Sequence, residues 1–301
     1  MAYLGKSSKP AVGRRARMAL ALATVYLSTG TTVVVIKVVS QTLSPEWLTT
    51  LRLLGAALLI APLAGWLLAS KRARFNRAEL GAAILSGLLL FTLGQTGLAW
   101  GVSRMPAGVA AVISSTAPLF IVLFSVLFLR QPLSRRQLAG VLLGLAGIAA
   151  LTWSAPDGEI PLAAVAALLL SSAAWAAGSL YSRQARLPAN NWISLTLQLL
   201  AGGLLTAPLS WLSGSAAACG DCGLTWQAGL GLAYLIGAAV AAFTAFNWLN
   251  QNTSSTVANT FFYVAPVIAM ALGAAFLGDS LTVTKALAAL VALAGVTLIL
   301  G

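Results

Sequence analysis

Long apolar runs separated by short polar segments dominate this chain. They fall at about 18–39, 45–69, 79–102, 106–129, 135–154, 160–182, 190–213, 226–250, 254–277 and 282–300. Each is 19 to 25 residues long, and about 20 apolar residues suffice to cross the hydrocarbon core of a bilayer. Lipid offers the backbone no hydrogen-bond partners, so each run is predicted to be a helix. The ten-residue alternation of a transmembrane β-barrel is absent. The pattern therefore predicts an all-α integral membrane protein with ten transmembrane helices.

The polar segments sort by charge. Lys6, Lys9, Arg14, Arg15 and Arg17 precede span 1. Lys71, Arg72, Arg74 and Arg77 follow span 2, Arg130, Arg135 and Arg136 follow span 4, and Arg183 and Arg186 follow span 6. These alternate loops hold most of the 18 basic residues. The other side holds Glu46, Asp157, Glu159, Asp221 and Asp279, all but one of the six acids. The positive-inside rule then places the basic face, and with ten spans both termini, in the cytoplasm. A nine- or eleven-span count would scramble this sorting.

Composition agrees. Apolar residues make up 59% of the 301 and charged residues only 8%, against about 25% in soluble domains. Mean hydropathy is +0.91. The net charge of +12 lies in short loops rather than on a soluble face, so no nucleic-acid partner is expected. The partners expected are the lipid bilayer and a small-molecule substrate, and a monomer suffices. Met18 opens a full-length span with no small-residue cleavage site after it, so no removable signal peptide is expected.

The chain also repeats itself. Ala117-Pro118 recurs as Ala265-Pro266, 148 positions later. At the same shift Phe128-Leu129 matches Phe276-Leu277, and Leu145-Ala146-Gly147 matches Leu293-Ala294-Gly295. The earlier helices align at a shift of 146, pairing Pro62 with Pro208 and Lys37 with Arg183. Residues 1–17 then form a basic tail, 18–154 a first five-helix repeat and 160–300 a second. Five is odd, so the repeats have opposite orientations in the membrane. Inverted repeats characterise secondary transporters, whose sites lie near the midplane between them.

Two stretches carry a family resemblance. Span 4 and its exit read AAVISSTAPLFIVLFSVLFLRQPLSRRQLAGVLLGLAGI, and span 9 and its exit read VANTFFYVAPVIAMALGAAFLGDSLT. The chain resembles, over its whole length, EamA-type exporters of the drug/metabolite transporter superfamily. These carry a small-x-x-x-Pro segment, an F-L-G-E-x-L-S/T exit and a G-x-x-L-x-x-x-G helix. Thr29-Gly30…Lys37 and Trp175…Arg183 are similar to the family's Trp-Gly…Lys pattern, and Arg52 matches a family Arg. Thr29 stands where Trp is usual, and Gln131 and Asp279 stand where Glu is usual. Within the family the chain is most similar to bacterial amino-acid exporters of the YddG type. The resemblance implies that spans 1–4 and 6–9 line a central cavity while spans 5 and 10 pack outside it.

The residues offer no enzyme site. His is absent, no span holds paired carboxylates, and neither a Walker A loop nor HExxH occurs. No metal and no cofactor are expected. Proton-driven carriers commonly use intramembrane Asp, Glu or His, and here the acids sit at span ends or in loops. That argues for facilitated diffusion or exchange without a buried-carboxylate relay. Cys219 and Cys222 in an outer loop read as a disulfide staple or free thiols.

Polar groups inside a bilayer are costly unless paired or facing a cavity. Thr29, Thr32, Gln95, Ser115 and Gln198 are therefore expected substrate contacts, with Ser28, Ser114, Asn247 and Asn259 weighed beside them. Phe91, Trp175, Phe243 and Tyr263 lie deep enough to wall an apolar pocket with a few polar handles. Trp47, Trp66, Trp153, Trp192, Trp211 and Trp226 sit at span ends and read as interfacial anchors. Pro118 and Pro266 are expected kinks or hinges. Lys37 and Arg52 lie within spans, either snorkelling to the interface or serving as a gate or a carboxylate contact. Gly140 and Gly144, and Gly237, Ala241 and Ala245, are spaced for close helix contacts.

The resulting expectation is export of small amphipathic metabolites, foremost apolar or aromatic amino acids, by alternating access around a midplane cavity in the bacterial inner membrane. The alternatives are another solute class, such as a drug-like compound, purine or sugar derivative, or a membrane scaffold without transport.

Overall fold

The computed structural model describes residues 11–72, 74–130, 132, 134–153, 160–212, 225–253, 257, 260–279 and 282–300. Gln131, Asp157, Glu159, Cys219, Asp221, Cys222 and Asn259 lie outside the described residues, as does the side chain of Tyr263. Among the described residues there is no strand. Ten helical segments follow the ten apolar runs. They are α1 (Ala11–Val39), α2 (Pro45–Ala69), α3 (Arg77–Val102), α4 (Ala107–Ser114 and Ala117–Leu129) and α5 (Arg135–Trp153) in the first half. The second half holds α6 (Leu162–Gln184), α7 (Asn191–Leu212), α8 (Trp226–Asn252), α9 (Phe261–Leu272, continued as Gly273–Leu277) and α10 (Val283–Leu300).

The protein is thus an all-α membrane bundle of two inverted five-helix repeats. Its packing obeys the exchange of one half for the other. α2 packs on α7 and α5 on α10, each pair being its own image. The α1–α8 contact has its image in α6–α3, α1–α9 in α6–α4, and α3–α7 in α8–α2. Helix starts keep the two shifts seen in the sequence: Pro45 and Asn191 open α2 and α7, and Arg135 and Val283 open α5 and α10.

Apolar side chains cover the outside. Leu58, Leu59, Leu127, Phe128, Leu170, Leu204 and Leu287 are all exposed, an apolar surface that in water would drive aggregation and in lipid is matched. Trp66, Trp153, Trp211 and Trp226 are exposed at helix ends. Trp47 and Trp192 are half-buried, Trp47 with its Nε1 enclosed and Trp192 against the core of α2, α3, α7 and α8.

Helix ends follow local chemistry. Ser44 caps α2 by accepting from Trp47 N–H, with Pro45 in the first turn. Asn76 and Glu79 form a reciprocal capping box at the start of α3, satisfying donors that would otherwise lack partners. Three departures from simple α-helix shape the interior. Leu88–Gln95 of α3 winds as π-helix, and so does Gly273–Leu277 of α9. α4 breaks at Ser115–Thr116, so Pro118 sits in the first turn of a new helix rather than kinking a continuous one, a position where its missing N–H costs nothing. Pro266 lies inside α9 as expected. Gly237 also differs from expectation: a Cβ there would meet nothing within 4 Å, so it makes no close helix contact.

Candidate functional site

A cavity of about 120 Å³ lies between the halves. α1 contributes Ser28, Thr29 and Thr32, α2 Arg52, α3 Gln95, α4 Ser114 and Ser115, α6 Trp175, and α8 Phe243. A second cavity of about 550 Å³ extends to the basic face, where Glu79, Arg183, Arg186 and Asn191 line it. Trp175, Phe243 and Phe246 line both cavities and form the wall between them. Among the described residues, none from α5 or α10 lines either cavity.

The small cavity is lined by both polar side chains and aromatic rings. Arg52 is only 5% exposed, and its Nη1 donates to Gln95 Oε1 at 3.2 Å. Its Nε is buried and has no hydrogen-bond partner among the described residues. Arg52 therefore does not snorkel to the interface. Trp175 stacks on Phe243 with ring centroids 6.1 Å apart, and Phe91 meets Phe243 edge-on at 4.8 Å. Phe246 approaches Trp175 at 6.4 Å and Phe261 at 5.8 Å.

Helix irregularities set this geometry. The π-helical turn displaces backbone carbonyls from their usual partners, and Gly94 O accepts from Ser171 Oγ at 2.5 Å. Gln95 ends that turn and reaches Arg52. Pro118 has no N–H for the carbonyl four residues earlier. That carbonyl, Ser114 O, accepts from Ser172 Oγ at 3.2 Å instead. Ser115 and Thr116 turn their hydroxyls to Val112 O and Ile113 O, so Ser115 lines the cavity with its proton already committed.

The repeat relates the polar residues of the lining to its rings. At a shift of 146, Thr29 corresponds to Trp175 and Arg52 to Gln198; at 148, Gln95 corresponds to Phe243 and Ser114 to Phe262. The first half carries the polar member of each pair except Arg52–Gln198, where both are polar. The second half supplies the rings.

Not every expected residue gathers here. Gln198 and Phe91 line the larger cavity, and the Gln198 amide donates to Ser194 Oγ at 2.9 Å on its own helix. Asn247 also lines the larger cavity. Lys37 lines neither: its Nζ donates to Met105 O at 2.8 Å and to Ser103 O at 3.4 Å. Opposite it, Asp279 Oδ2 accepts from Ala107 N–H at 2.8 Å. The α3–α4 turn is thus held from both repeats. A packed core that includes Val33, Ile36, Leu48, Val102, Met105 and Leu235 closes this acidic face. Sequence reading did not single out Phe246, Phe261, Ser171 or Ser172. Phe246 follows Phe243 by three positions, a helical spacing that puts both on one face and was the available signal.

The family model of the EamA-like transporter family matches residues 16–153 and again 162–301. The chain belongs to that family of membrane transporters. It is 31% identical, over 87% of its length and 83% of the other's, to the uncharacterized inner membrane transporter YedA of Escherichia coli K12. It is 30% identical to the protein PecM of Dickeya dadantii over 60% of each chain. A crystal structure with 20% identity shares the fold at a TM-score of 0.64, covering 93% of this chain and 95% of that one.

Proposed function

We propose that this transporter moves small amphipathic carboxylates, among them amino acids with apolar or aromatic side chains, out of the cell. The observation that carries this reading is one cavity lined both by the bonded pair Arg52 and Gln95 and by the rings of Trp175, Phe243 and Phe246. A carboxylate suits the guanidinium, and an apolar tail suits the rings. Transport proceeds by alternating access, the two repeats rocking about the cavity. Closure at the acidic face and the wide cavity at the basic face support a conformation open toward the basic side. The charge sorting supports a cytoplasmic basic face, and the inner-membrane relatives support that location. With no acid lining the small cavity, flux follows the solute gradient without a carboxylate proton relay.

Proteoliposomes holding only the purified protein test this, with labelled tryptophan, phenylalanine, threonine and glutamate offered with and without a proton gradient. Saturable flux of tryptophan and phenylalanine without a gradient is expected. Strict dependence on the gradient would overturn the uncoupled mechanism. Absence of flux for all four, in folded protein, would overturn the amino-acid reading.

A further inference from the structure

We infer that the small cavity selects apolar monoanions, carboxylates with no neighbouring ammonium group, over zwitterionic amino acids of the same size; this rests on the cavity being the transport site. Among the described residues lining it, Arg52 is the one charged side chain. Arg52 is nearly fully buried, and among the described residues its Nε has no partner and its guanidinium donates to a neutral amide. A buried charge without a counter-charge is the costliest arrangement in a low-dielectric interior. A carboxylate in the cavity brings that counter-charge.

A zwitterion brings the same carboxylate and an ammonium group beside it. The cavity then keeps its net positive charge, and the ammonium lies within a few ångströms of the guanidinium. The groups that could receive an N–H donor are neutral: hydroxyls, the Gln95 amide oxygen and backbone carbonyls. Ser114 and Ser115 already give their protons to Ala110 O and Val112 O, and Ser171 and Ser172 give theirs to Gly94 O and Ser114 O. Their oxygens keep lone pairs, but none carries charge. No Asp or Glu lines the cavity among the described residues. Glu46 lies in the first turn of α2, on the helix that carries Arg52. Asp279 caps α4, and Glu79 caps α3 at the basic face. The remaining wall is aromatic, so the favoured anion has a ring or branched tail.

The test is a matched series of 3-phenylpropionate, phenylalanine and phenethylamine, which share a phenyl tail and differ in charge. Thermal stabilisation of the purified protein in detergent at neutral pH reports binding. 3-Phenylpropionate is expected to bind tighter than phenylalanine by about tenfold, with phenethylamine weakest. Arg52→Gln should bring the first two to parity, and Arg52→Lys should restore part of the preference. If Arg52→Gln does not fold, the wild-type ratio decides alone. Phenylalanine binding as tightly as 3-phenylpropionate would overturn the anion preference while leaving the transport reading intact. No stabilisation by any of the three would also overturn the preference, and only the absence of flux in proteoliposomes would overturn the transport reading.

Discussion

Gly295 of α10 lies so close to Gly144 of α5 that a Cβ on Gly295 would stand 2.3 Å from the Gly144 nitrogen. The image of this contact is present as well. A Cβ on Gly147, the counterpart of Gly295, would stand 2.3 Å from the nitrogen of Ala292, the counterpart of Gly144. The two helices meet backbone to backbone around the axis that exchanges the repeats. In lipid, where apolar side chains gain little by associating, such close approach supplies dispersion contacts that hold helices together.

Gly295→Leu should therefore force α5 and α10 apart. Overpacking of this kind costs about 1–3 kcal/mol. The expected outcome is a lower unfolding temperature in detergent and a reduced monodisperse yield. The same change at Gly237, where a Cβ meets nothing within 4 Å, should be tolerated. Equal tolerance at both positions would contradict the packing.

Lys37 ties α1 to the α3–α4 turn through Met105 O and Ser103 O. Lys37→Met keeps the stem and removes the donor. Leaving those carbonyls without it should cost about 1–3 kcal/mol and loosen the acidic face. In a background with Cys219 and Cys222 replaced by Ser, a cysteine at Val33 should react faster with a thiol reagent added from the acidic side. An unchanged rate would show that the packed core alone maintains the closure.

Asp279 accepts from Ala107 N–H at the start of α4, on the opposite repeat. Asp279→Asn keeps an acceptor, while Asp279→Ala removes it. The Ala variant should lose about 1 kcal/mol, as for other helix caps, and the Asn variant about half a kilocalorie through the helix dipole. Thermal unfolding ranks the two. A larger loss for Asn than for Ala would refute the capping role.

Trp175 stands between the two cavities. Trp175→Ala should merge them and remove its stacked contact with Phe243. A substrate ring packed on Trp175 would gain about 0.5–1.5 kcal/mol beyond burial, so without it apparent affinity for tryptophan should fall by about threefold to tenfold. Affinity for threonine, which has no ring, should change less. Equal losses for both solutes would mean that Trp175 acts through the fold rather than through the substrate.

Much of the site was legible before any geometry. Arg52 and Gln95 stood out because a charge and an amide inside apolar runs are costly unless they face something. Both line the small cavity, and they bond each other. Lys37 carried the same signal, yet its partners are two backbone carbonyls, and hydropathy does not distinguish a carbonyl from a solute. Gln198 occupies the position equivalent to Arg52 but faces the other cavity. Phe246 and Phe261 were passed over because apolar residues are unremarkable in apolar helices.

The sequence by itself determined the class, the ten helices and the inverted repeat. Those follow from segment length against bilayer thickness, from the absence of backbone partners in lipid, and from an odd number of spans per repeat. Tertiary structure decided which faces meet. A helix in lipid is apolar all round, so its amphipathic periodicity, the usual pointer to the buried face, is weak. The π-helical turn before Gln95 and the break before Pro118 re-aim side chains by a fraction of a turn, which spacing in the sequence does not encode. Only the folded chain therefore brings the polar residues of the first repeat and the rings of the second onto one cavity.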